Sequence, residues 1–159
     1  MRHSIFIGLY LSIVFVANAS PVDAAYDLLD AIEYSSGYAL EDILSGDLYT
    51  AFTGFLDQVR ALAETDPVLA ESILSQRYSG RITIEDFTVL NNQELLGKIM
   101  SEVSLQPDDQ IQQETADMQG RNATVVISYF DGASISFSMV WENSGWRVSD
   151  TSLLGTVFQ

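Results

Sequence analysis

Ser134-Ile135-Ser136-Phe137-Ser138-Met139-Val140-Trp141 alternates small polar with large apolar side chains. A repeat of two puts successive side chains on opposite faces, which is the pattern of a β-strand with one wet and one packed side. Working backwards, Val125, Ile127 and Tyr129 repeat the apolar spacing ahead of Phe130-Asp131-Gly132. Two registers are open. A two-residue turn at Asp131-Gly132 would set Ser128 against Ile135 on the packed face. A three-residue loop, with Gly132 in the left-handed bulge position, pairs Ile127 with Ile135 and Val125 with Phe137 and leaves Ser128 opposite Ser134. The bulged form segregates both faces and is the register we expect. Working forwards, a Glu142-Asn143-Ser144-Gly145 loop sets Trp146 opposite Trp141 and Val148 opposite Met139. A fourth, outer strand is expected over about 110–118, with its faces left open by Gln112-Gln113-Glu114.

Upstream the period changes to that of helices. Ser20-Pro21-Val22-Asp23 has the form of a helix start, and Ala24, Ala25, Leu28, Leu29 and Ile32 form the apolar stripe that follows, ending at Ser35-Ser36-Gly37. A second helical segment runs over about 39–63, with Gly46 and Gly54 as its points of break or close approach. Asp66-Pro67 opens a third helix that stops at Ser79-Gly80. Residues 81–87 fit either a capping box at Thr83-Ile84-Glu85-Asp86 or a short strand. A fourth helix is expected over about 92–103, capped by Asn91 or Asn92, before Pro107-Asp108-Asp109 turns the chain into the sheet. Helices first and an antiparallel meander last make an α+β domain, with the helices packed on one face of a curved sheet of three to four strands.

Met1-Arg2-His3-Ser4, the apolar run from Ile5 to Val16 and Ala17-Asn18-Ala19 have the three parts of a cleavable secretory signal. The expected organisation is therefore a signal peptide over 1–19, a single domain over 20–150 and a tail over 151–159, with the processed protein periplasmic or secreted and not inserted in a membrane. Spanning needs roughly 20 apolar residues, more than this run offers before Pro21. The chain has no cysteine, and its one histidine is His3. Disulfides, thiolate metal sites and thiol nucleophiles are excluded, and past the signal no imidazole is left for metal binding or acid–base work. We expect no cofactor and no metal; no calcium loop of the Asp-x-Asp-x-Asp-Gly form occurs. With 22 acidic residues against seven basic ones the net charge is −15, which argues against nucleic acid as a partner because phosphates need a basic footprint. The acidic surface is either simply solvated or a dock for something cationic. Asn122-Ala123-Thr124 is a glycosylation sequon, relevant only in a eukaryotic host.

Gly120-Arg121-Asn122-Ala123-Thr124-Val125-Val126-Ile127, the Asp131-Gly132 loop and the ending Val140-Trp141-Glu142-Asn143-Ser144-Gly145-Trp146-Arg147-Val148-Ser149-Asp150 resemble small secreted members of the nuclear transport factor 2-like (cystatin-like) superfamily. The likeness covers about forty residues well and the helical half in outline. It implies a sheet wrapped on a helix around a conical pocket, used by different members as an enzyme site, a ligand site or a dimer surface. The wall of such a pocket here falls to Tyr129, Phe137, Met139, Trp141 and Trp146, beside Ile135, Val148, Val125 and Ile127, with Tyr26, Tyr34, Tyr38, Tyr49, Phe52 and Phe55 closing it from the helical half. The same side chains equally make a filled core. Three functions follow. The first is a non-catalytic binding module for a small apolar ligand or a protein partner. The second is a structural or homodimeric interaction protein with a filled core, using the Ser134-Ser136-Ser138 face. The third is an isomerase- or dehydratase-like enzyme working with a pocket carboxylate, for which the apolar face of the meander offers no acid.

Overall fold

A computed structural model describes residues 20–155; the expected signal peptide over 1–19 lies outside the described residues. Among the described residues six helices precede the sheet: α1 (Pro21–Glu33), α2 (Leu40–Ile43), α3 (Gly46–Thr65), α4 (Pro67–Tyr78), α5 (Ile84–Val89) and α6 (Asn92–Met100). A 3₁₀ turn (Asp108–Gln110) leads into β1 (Ile111–Gln119), β2 (Asn122–Tyr129), β3 (Ser134–Glu142) and β4 (Gly145–Thr151). The four strands form one antiparallel meander in the order β1-β2-β3-β4, so the fold is α+β with an open sheet.

The helix starts are where capping chemistry puts them. The Ser20 hydroxyl accepts from the Asp23 N–H at 3.1 Å with Pro21 in the first turn, and Asp66 accepts from the Leu69 N–H at 3.0 Å ahead of Pro67. The stretch 81–87 takes the capping-box form, helical from Ile84 on, because the Thr83 N–H donates to the Asp86 carboxylate at 2.9 Å and closes the box. The expected helix over 39–63 is broken between Ile43 and Gly46, where Leu44 turns extended and bridges in parallel to Val148; Gly54 sits inside α3. The fourth expected helix ends at Met100, since Glu102 and Val103 bond three residues back in tight turns.

α1 lies against β1, β2 and β4, with Ala24, Ala25 and Leu28 fully buried. At its C-terminus the chain meets α6 backbone to backbone. A Cβ on Gly37 would fall 1.8 Å from the Gln93 carbonyl oxygen, and one on Gly97 2.4 Å from that of Ser35. The sheet registers agree with the bulged hairpin: Ile127 pairs Ile135, Val125 pairs Phe137 and Ser128 pairs Ser134, with Gly132 at φ +86°. Trp141 pairs Trp146 and Met139 pairs Val148; the turn between them is shorter than expected, with only Asn143 and Ser144 outside the strands, both at positive φ. The packed domain runs past residue 150, as Thr151 pairs Phe137 and Leu154 is buried. Among the described residues, no helix is long and apolar enough to cross a membrane.

Candidate functional site

The aromatic side chains expected to wall a pocket are packed as core. Phe137, Met139, Tyr129 and Trp146 are each at most 5 % exposed, and all belong to one continuous apolar cluster with the helices. Trp141 is half-buried and stands edge-on to Trp146, ring centres 5.5 Å apart. Its backbone is fixed by Arg121, whose guanidinium donates to the Trp141 carbonyl at 2.7 Å and whose own carbonyl accepts from the Trp141 N–H at 2.7 Å. On the helical side, Phe52 joins this core and Tyr34 and Tyr38 are exposed.

A cleft borders the C-terminal end of α1. It has a volume of about 520 Å³ and runs between the last turns of α1, the irregular connector from α6 to β1, and the end of β2. Of the five side chains expected at a ligand, Tyr129 borders it. Leu29 and Ile32 from α1 and Val103 and Leu105 from the connector supply apolar walls; Asp30, Glu33 and Asp108 supply carboxylates. The connector lacks regular structure but is held at both ends. Glu102 pairs with Arg81 at 2.8 Å, and Gln106 donates to Asp131 in the β2–β3 loop at 2.9 Å. The Ala133 N–H, and after it this bond from Gln106, hold the Asp131 carboxyl below the usual carboxylate range.

Tyr129 borders the cleft from the sheet, and Tyr26 ties α1 to β1. Burial, then the nearby charge of Asp108, raises the pKa of Tyr129. Next to it, Tyr26 on α1 donates to Glu114 on β1, and burial followed by this bond pushes its pKa up strongly. The Tyr26 hydroxyl is thus the donor in its bond to Glu114.

No basic side chain lines the cleft, because the described cations are used within the fold. Arg60 donates to the carbonyls of Phe87 and Leu90 at 3.0 and 3.1 Å, and also to Asn92. Lys98 meets Asp86 at 2.6 Å, and Arg77 lies 5.3 Å over the Phe55 ring. Arg147 donates to the carbonyls of Glu41 and Leu44 at 2.8 and 3.3 Å. Sequence reasoning missed the cleft because its walls come from an α1 stripe that reads as core and a connector without periodicity. Among the described residues, no group of three or more His, Cys, Asp or Glu side chains is placed to hold a metal ion. Compared with protein-family models, curated proteins and solved structures, the chain matches none.

Proposed function

We propose that this chain is a non-catalytic binding module, acting outside the cytoplasm once the leader is removed, whose cleft takes a small amphipathic molecule with a neutral or cationic polar end. The observation that carries the reading is the cleft itself. Its 520 Å³ falls within the roughly 300–1,000 Å³ of small-molecule sites, and it combines aliphatic walls with carboxylates and no base. An anionic ligand would meet Asp30, Glu33 and Asp108 without a counter-charge. Kinship with the nuclear transport factor 2-like superfamily belongs to the same proposal and rests on the meander sequence.

The test uses protein spanning residues 20–159 and two probe series of equal chain length, alkylamines and alkyl carboxylates, followed by calorimetry. Amines are expected to bind, and Val103→Trp, which fills the cleft, to weaken them at least about tenfold, or about 1.4 kcal/mol. Equal binding of both series, or binding untouched by Val103→Trp, would overturn the proposal.

A further inference from the structure

The two edges of the sheet are treated differently. On β4 the edge is covered: the Ser45 N–H donates to the Val148 carbonyl at 2.8 Å, Leu44 bridges to Val148, and Arg147 caps the adjoining carbonyls. On β1 no described element pairs with the outer side. Every residue of β1 after Ile111 is exposed.

Register identifies the backbone groups left there. The Tyr129 N–H donates to the Ala133 carbonyl, so odd-numbered residues of β2 bond β3 and even-numbered ones bond β1. Thr124, Val126 and Ser128 face Asp117, Thr115 and Gln113. The N–H and C=O groups of Glu114, Ala116 and Met118 therefore point away from the sheet. Native edges are usually blunted by lysine, proline, a bulge along the strand or a covering element. β1 contains neither Lys nor Pro, and its one irregularity lies at the Ile111/Gln113 end.

The side chains along this edge define what fits. Asp108, Asp109, Glu114 and Asp117 bring four carboxylates, and no Lys or Arg occurs between Lys98 and Arg121. Arg121 is turned towards Trp141. Ala116 and Met118 are apolar and lie on the same face, Met118 being 59 % exposed. A second copy of this chain would bring the same four acids against each other, in a molecule of net charge −15, which is repulsive except where salt screens it.

We infer that the free edge of β1 is a docking site for an extended, cationic segment of a partner polypeptide, added as a fifth strand. Apolar residues of that segment would stand beside Ala116 and Met118, and Lys or Arg beside Asp117, with main-chain bonds to residues 114, 116 and 118 supplying the affinity.

The probe is a peptide of alternating lysine and valine, titrated into protein spanning residues 20–159 while amide hydrogen exchange is followed residue by residue. The expected result is slowed exchange at Ala116 and Met118, and binding at least about tenfold weaker, or about 1.4 kcal/mol, for Asp117→Lys and for a glutamate-for-lysine peptide. A peptide N-methylated on the edge-facing amides leaves the protein unaltered and is expected not to bind. Unchanged exchange at 116 and 118, or binding insensitive to N-methylation, would overturn the inference. So would protection of the same amides without peptide in a dimer that forms at high salt, which would assign the edge to a second copy. Val103→Trp is expected to leave this binding unchanged, which separates it from the cleft.

Discussion

Gly37 and Gly97 let two stretches of backbone pack directly against each other. Each sits where a single methyl group would enter the backbone of the other's segment, so neither α1's exit nor α6 yields without moving the other. Gly37→Ala and Gly97→Ala are each expected to cost about 1–3 kcal/mol in urea unfolding. Gly54, inside α3, is the counterexample: a Cβ there would meet nothing within 4 Å. Gly54→Ala is expected to stabilise by about 0.5–1 kcal/mol, because alanine loses less backbone entropy on entering a helix. Nothing in the local sequence separates these glycines; the difference is whether another backbone lies on the side where the Cβ would point.

Between α2 and α3 the chain exchanges hydrogen bonds with the β3–β4 hairpin in both directions. The Glu142 carboxylate accepts from the Gly46 N–H at 2.9 Å at the start of α3, where the helix dipole favours negative charge, and Arg147 holds the carbonyls of Glu41 and Leu44. The helix break and the covered edge of β4 thus have one cause. Arg147→Met keeps the aliphatic stem and removes the donors. It is expected to open this contact by about 1–2 kcal/mol, read as roughly tenfold or faster exchange of the Ser45 amide with little change in the β1–β2 amides. Glycine at 46 was legible as a weak point in a helical pattern, but its partner lay about a hundred residues away and was not.

The pH response belongs to the whole molecule. Burial acts to raise the pKa of Asp86, but the hydrogen bonds from Lys98 and the Thr83 backbone outweigh it and hold the carboxyl below its usual value. A carboxyl depressed in the folded state adds stability above its unfolded pKa of about 3.9 and loses it as pH falls further. Asp86→Asn is therefore expected to be less stable than the native chain at neutral pH by up to about 1 kcal/mol, the pair being partly solvent-screened, and the gap is expected to close in acid. At the alkaline end the sign reverses. Burial, opposed by Arg77 and reinforced by Glu102, raises Tyr78, and Tyr26, Tyr49 and Tyr129 are raised chiefly by burial. These groups hold their protons more tightly when folded. Stability should fall as pH rises above about 10, with the tyrosinate absorbance of these four residues appearing together with loss of tertiary structure.

The meander, its bulged register, the facing tryptophans and most helix starts were determined by sequence alone, because alternation, a turn glycine and a capping side chain act over a few residues. Where empty space lies was decided only by tertiary structure. Phe137, Met139 and Trp146 carry the same pattern whether they line a pocket or fill a core, and the helices resting on them decide for the core. The cleft beside Tyr129 and the covered edge of β4 exist because of where α1, the α6–β1 connector and the α2–α3 break come to rest, and those positions depend on contacts between residues far apart in the chain.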